Sequence, residues 1–283
     1  YADCILCNQR QVQEVMRSIT DNEDLIWEVA LAVAEAMSKL PRQMRPAQST
    51  SIAFRIMREM TGVDDPFREM KQRHNAVAVS LYPALKAMVK EAPDPLLMAV
   101  YVAVAGNIID VSTMGDLNVR AEVERVLKKS LTINHYASFR EDVKRAQSIL
   151  FVGDNAGEVV FDRVLVEEIG SEKITYVVKG GPIINDATLE DALAAGMDQV
   201  TRVITTGDNS VGVDFELASP EFMTAYEEAD LVISKGQGNF ESFSVANKHI
   251  YFLLQAKCAA VAREFGVPRG SLILVEHDLF FAM

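Results

Sequence analysis

A chain of 283 residues with 49% apolar and 24% charged side chains can bury a sizeable core, in one large α/β unit or two unequal ones. Its formal net charge of −12 excludes non-specific nucleic-acid binding, which draws on a basic surface. No run approaches the roughly 18 consecutive apolar residues of a membrane span, so no membrane partner is expected.

Tyr1-Ala2-Asp3-Cys4 opens the sequence without a basic stretch and apolar run, and a cytoplasmic location is the expectation. Three cysteines exclude a disulfide framework. Cys4 and Cys7 form a lone CxxC, with no second pair to complete a four-ligand zinc site. Idle thiols and a subunit-bridging metal or redox site both remain open for it, and so does a homo-oligomer.

From Asn8 to about Lys144 the rhythm is helical, with no convincing strand. Asp24 to Leu40 carries an apolar stripe at Leu25, Ile26, Val29, Ala30, Val33, Met37 and Leu40. Ala76 to Val89 and Asp94 to Ile109 behave alike. Pro41, Pro46, Pro83, Pro93 and Pro95 are read as starts and stops. The expected division is a helical unit, residues 1–145, and an α/β unit, residues 146–283.

After Ala146 short apolar runs alternate with helical segments. Expected strands are Ser148–Val152, Ile174–Val178, Val200–Thr205, Leu231–Ser234, Ile250–Leu254 and Ser271–Val275. Expected helices are Glu158–Glu168, Ala187–Ala195, Pro220–Ala229 and Cys258–Phe265. This alternation implies an α/β fold: a doubly wound, mainly parallel sheet with helices on both faces. Ligands in such sheets bind beyond the carboxyl ends of the strands.

Gly153-Asp154-Asn155-Ala156-Gly157-Glu158 follows the first of these strands. Its glycines let backbone approach a ligand, the next helix start favours an anion, and Asp154 and Asn155 offer hard oxygens suited to Mg²⁺ or Mn²⁺. A capping box of Asn155 and Glu158 explains part of the same pattern. Asp186, after the second strand, is either a helix cap or a third oxygen ligand. Together Asp154, Asn155 and Asp186 carry a formal charge of about −2, enough to hold one divalent cation and leave positions for phosphate oxygens.

Lys235-Gly236-Gln237-Gly238-Asn239 ends the fourth strand with a point charge and exposed backbone donors suited to a phosphoryl group. Lys257 follows the fifth strand similarly. Thr206-Gly207-Asp208-Asn209 follows the third strand with another Asp-Asn pair, not assigned to the metal, and Ser210-Val211-Gly212 reads as a mobile loop able to shape or cover the pocket. His74, His135, His249 and His277 form neither HxH nor HExxH, and neither GxSxG nor a C(x5)R turn is present. An oxygen-ligated metal is the surviving chemistry.

GDNAGE, KGGPIINDAT and SKGQGNFES together resemble the metal-dependent damage-control phosphatases. AGNIID at Ala105–Asp110, DDPFREMKQRHN at Asp64–Asn75 and the CxxC extend the likeness over most of the chain. The resemblance implies a helical part packed on a Rossmann-like sheet, metal ligands at Asp154, Asn155 and Asp186, and phosphate contacts at Lys235 to Asn239 and at Lys257. One branch carries RTxK where this chain reads Leu254-Gln255-Ala256-Lys257; the CxxC resembles the largely archaeal and bacterial branch instead. The reading is a phosphatase for small phosphorylated metabolites using Mn²⁺, Co²⁺, Ni²⁺ or Mg²⁺, with Asn107 and Asp110 lining the pocket or capping their helix. The alternatives are an S-adenosylmethionine-dependent carboxyl methyltransferase, without the usual GxGxG loop, and a non-catalytic metal-binding module.

Overall fold

Leu131–Asn134 (β1), Ile149–Val152 (β2), Ile174–Val178 (β3), Arg202–Thr205 (β4), Leu231–Lys235 (β5), Ile250–Gln255 (β6) and Leu272–Glu276 (β7) form one sheet, in the order β1-β7-β6-β5-β2-β3-β4. They come from a computed structural model that describes residues 2–106, 125, 126, 128–244 and 246–278. Strands β2 to β6 run parallel, whereas β7 is antiparallel to β6 and parallel to β1. The chain leaves β2 for β3 on one side and later returns to place β5 on the other. That reversal opens a crevice between the carboxyl ends of β2 and β5.

The helices around the sheet are α1 (Ala2–Ile19), α2 (Glu23–Ser38), α3 (Pro46–Thr61), α4 (Arg68–Glu91), α5 (Pro95–Gly106), α6 (Tyr136–Arg145), α7 (Glu158–Ile169), α8 (Leu189–Ala194), α9 (Pro220–Glu228), α10 (Gln237–Phe243) and α11 (Ala259–Glu264). Their starts follow local chemistry. Asn22 accepts from the N–H groups of Asp24 and Leu25, and Ser219 caps α9 ahead of Pro220. None of the described helices is long and apolar enough to cross a membrane.

Alternation along the strands sorts side chains onto two faces. Phe151, Tyr176, Ile233, Leu253 and Leu274 join α4, α5, α6 and α7 in one core. Leu150, Val152, Val177, Val232, Phe252 and Ile273 join Phe222 of α9, Phe240 and Phe243 of α10, and Val261 of α11 in a second. Helices α1, α2 and α3 enclose a third core around Val12, Met16, Val29, Val33, Phe54 and Met57, reached from the sheet side by Ile183. Each such residue, fully buried, stabilises the fold by about 1.5–3 kcal/mol.

Three expectations need correction. The half expected to be purely helical contains β1, an edge strand of only four residues whose Leu131 and Ile133 alternate with Thr132 and Asn134. Pro83 is neither start nor stop but lies inside α4. Pro83 and Val79, whose carbonyl loses its helical donor, both lie on the exposed face of the helix, where the loss costs least. Helix α8 begins at Leu189 rather than Ala187, because Thr188 is extended and caps it, its N–H and hydroxyl both donating to Asp191 Oδ2.

The α1–α3 layer is fastened to the sheet through α10. Arg45 donates to the Ser242 carbonyl at 2.8 Å, and Glu241 accepts the Ala47 N–H at the start of α3. Burial pushes the Glu241 carboxyl up to about 7, against that hydrogen bond. A carboxyl with a folded pKa above its unfolded value contributes stability at low pH that is lost as pH rises through about 7. The thermal midpoint of the wild type should therefore fall between pH 5 and pH 8 by more than that of Glu241→Gln; parallel curves would refute this.

Candidate functional site

The loop leaving β2 and the loop leaving β3 are joined by main chain. Ala156 N donates to Asn185 O at 2.9 Å and Ala187 N to Asp154 O at 2.8 Å, giving an antiparallel bridge between Asn155 and Asp186. Asp154, Asn155 and Asp186 are thereby brought to the floor of one cleft of about 320 Å³. Gln237, Gly238 and Lys257 line it from the ends of β5 and β6. Gln11, Glu14 and Phe54 come from α1 and α3, with Phe67 just before α4.

Backbone leaves Asp154 little room to move. A Cβ on Gly236, which has φ +78°, would stand 2.1 Å from Asp154 Oδ2, so the carboxylate rests on a bare α-carbon. Asn155 Nδ2 donates to Asp154 Oδ2 at 2.8 Å and to Glu158 Oε1 at 2.5 Å, which turns its carbonyl oxygen away from both carboxylates. Asn155 and Glu158 do not form the alternative capping box, since the residue before the helix is Gly157 and no side chain caps it. Ile184, two residues before Asp186, is held at φ +44°, a strained setting for a β-branched residue.

The electrostatics are those of an under-compensated anionic floor. Burial raises the Asp154 proton affinity, and the neighbouring Glu158 and Asp186 raise it further; Lys257 and Lys235 oppose them. Burial raises Asp186 as well, opposed by Lys179, whose Nζ lies 3.6 Å from Asp186 Oδ2. Carboxylates that crowd until protons are favoured are also carboxylates that welcome a cation. Two carboxylates and an amide carbonyl are hard donors, and the set fits a divalent ion of the Mg²⁺ or Mn²⁺ kind.

The other residues expected at the site divide. Gln237, Gly238 and Lys257 reach the cleft, and Gly236 borders it. Lys235 does not: it is fully buried, with Nζ 2.5 Å from Asp162 Oδ1, 3.2 Å from Glu158 Oε2 and 3.0 Å from the Ala103 carbonyl. Asn239 is also buried and donates to the carbonyls of Gly153 and Lys235, tying β5 to β2. The Gly157 N–H at the start of α7, expected to face an anion, donates instead to Asn75 Oδ1 at 2.7 Å. Asn107 and Asp110 lie outside the described residues.

Residues 210–212, expected to form a mobile loop, are stitched down: Ser210 N donates to Asp208 Oδ2 and Val211 N to Ser51 Oγ, while Gly180 N holds the preceding turn at Asp208 O. Sequence reasoning also missed the polar groups under the floor. Lys179 donates to the Gly212 carbonyl and, at 3.4 Å, to Asn239 Oδ1. Tyr176 donates to Asp162 Oδ2, and Lys71 of α4 pairs with Asp65 and Asp191. The one available signal was positional: Lys179 follows β3 directly, as Lys257 follows β6 within two residues.

Residues 1–273 match the model of the damage-control phosphatase ARMT1-like domain. The chain is 38% identical to Damage-control phosphatase PH1575 of Pyrococcus horikoshii, over 97% of each protein. It is 37% identical to a damage-control phosphatase of Archaeoglobus fulgidus, over 95% of this chain and 96% of that one. In three dimensions it matches the crystal structure of a DUF89 family protein of Pyrococcus horikoshii with a TM-score of 0.91 and 38% identity, over 98% of both chains.

Removing the Lys235 ammonium strands Glu158 and Asp162 as buried charges, an effect of about 3–5 kcal/mol. Lys235→Ala should lose stability on that scale in urea unfolding, with or without a phosphate ligand present. Unchanged unfolding together with weakened phosphate binding would return Lys235 to the role that the resemblance implies.

Proposed function

Because the chain belongs to the family of the damage-control phosphatase ARMT1-like domain, we propose that it is a divalent-cation-dependent phosphatase that hydrolyses small phosphorylated metabolites. The observation that carries this reading is the main-chain bridge that sets Asp154, Asn155 and Asp186 side by side in a cleft. These three residues would hold the cation, taken from Mn²⁺, Co²⁺, Ni²⁺ or Mg²⁺. When bound, such a cation polarises a phosphoryl oxygen and offsets negative charge as the ester breaks.

The chain's own groups divide the remaining work. Lys257, exposed at the cleft, supplies positive charge to the equatorial oxygens of the phosphoryl group. Gln237 Oε1 accepts the Lys257 N–H at 2.6 Å and sets where that lysine departs from the backbone. Asp154 is a holding group rather than a nucleophile: Asn155 grips its Oδ2, and the carboxylate is seated on Gly236. In-line attack then falls to water. Phe54, Phe67 and Val15 offer apolar walls, and Gln11 and Glu14 polar ones, to the organic part of the ester.

A methyltransferase reading gains nothing from the loop after β2, which carries an Asp-Asn pair in place of a GxGxG turn.

The test is turnover of p-nitrophenyl phosphate and a panel of metabolite phosphates after chelation and re-addition of each cation. Asp154→Ala should reduce kcat by at least about 100-fold with an unchanged circular dichroism spectrum. Lys257→Ala should weaken turnover less. Undiminished turnover in Asp154→Ala rejects the site. Cation binding without turnover of any ester would make the protein a binding module.

A further inference from the structure

We propose that Asp142, His249 and Glu276 form a second cation site, for zinc or a similar first-row divalent ion, at the end of the sheet opposite the cleft. Asp142 stands on α6, His249 directly precedes β6, and Glu276 ends β7. Because β7 runs antiparallel to β6, with Tyr251 paired to Glu276, the start of one strand and the end of the other meet. The cleft lies beyond the carboxyl ends of β2, β3 and β5. The start of β6, a strand parallel to them, is therefore at the far side.

The spacing of the three groups suits a metal better than an ion pair. One ligand atom from each lies within 4.8 Å of the others. His249 Nε2 is 3.4 Å from Asp142 Oδ2 and 3.4 Å from Glu276 Oε1. Donors about 2.0–2.2 Å from a tetrahedral zinc ion stand roughly 3.3–3.6 Å from one another. An imidazolium clasped by a carboxylate would instead close to about 2.7–2.9 Å. His249 Nε2 is shut off from solvent and makes no hydrogen bond, although it faces an oxygen on either side. A cation held among the three groups would give that nitrogen a partner.

Outer groups already orient the carboxylates. The Tyr251 hydroxyl donates to Asp142 Oδ2 at 2.6 Å and reaches Glu276 Oε2 at 3.2 Å, the support that metal-bound carboxylates normally receive. One imidazole with two carboxylates selects zinc or cobalt over magnesium, which favours an all-oxygen shell. An ion there would fasten α6 to the β6–β7 pair. None of these residues lines the cleft, so this site stands or falls independently of the phosphatase reading.

Equilibrium dialysis of the chelated full chain against Zn²⁺, with metal counted by mass spectrometry, tests the proposal. Asp154→Ala should retain a zinc equivalent that His249→Ala and Glu276→Gln lose, and Tyr251→Phe should weaken zinc there by about 10–100-fold. With Co²⁺, Asp154→Ala should show the visible absorption of a tetrahedral nitrogen-and-oxygen site, and the double variant with His249→Ala should not. Circular dichroism identifies whichever of the two variants is folded, and that one decides. Full zinc stoichiometry in a folded His249→Ala or Glu276→Gln protein overturns the proposal, as does loss of all zinc in Asp154→Ala.

Discussion

Two main-chain hydrogen bonds between the loops after β2 and β3 set the charge density of the cleft. Side chains alone would let Asp154 and Asp186 drift apart, because like charges repel and water solvates each better singly. Here the carbonyl of one aspartate's loop is tied to the amide of the other's, and the two carboxylates cannot separate without breaking the bridge. Residue choice around the bridge follows from that. Gly236 has no side chain because Asp154 occupies the space, and Lys179 lies beneath Asp186 because a buried carboxylate needs a counter-charge within reach.

The lysines of this region therefore do different jobs despite similar places in the sequence. Lys179 and Lys235 are buried and paired, so their charge is spent inside the protein, holding acidic groups at fixed positions. Lys257 is exposed and faces the opening. With Lys179 and Lys235 turned outward the cleft would be neutral or positive. Facing inward, they leave the acidic groups of the floor only partly compensated.

Much of this was legible in the sequence, for definite reasons. Apolar runs closed by Gly, Asp or Lys located β2 to β7, because buried parallel strands must be apolar on both faces. The placing of Asp154, Asn155 and Asp186 at two strand ends followed from the same rhythm. Lys235 was misjudged, although its own strand carried the answer: with Leu231 and Ile233 it shares the parity of the face covered by α5 and α7, so it points under the helices. The short helix α10 was hidden by Gly236 and Gly238, and β1 by its length. Asp142, His249 and Glu276 share no local spacing. Only the antiparallel return of β7 brings them together.

Beneath the cleft an unbroken run of polar contacts descends from Asn155 through Glu158, Lys235 and Asp162 to the hydroxyl of Tyr176. Tyr176 has no space to give, since a Cβ on Gly153 would lie 2.3 Å from its oxygen. Tolerance to substitution should therefore not rise smoothly with depth below the cleft. A phenol oxygen inside the core is coupled to the amide that orients the floor, and variation there would be felt at Asp154 and Glu158.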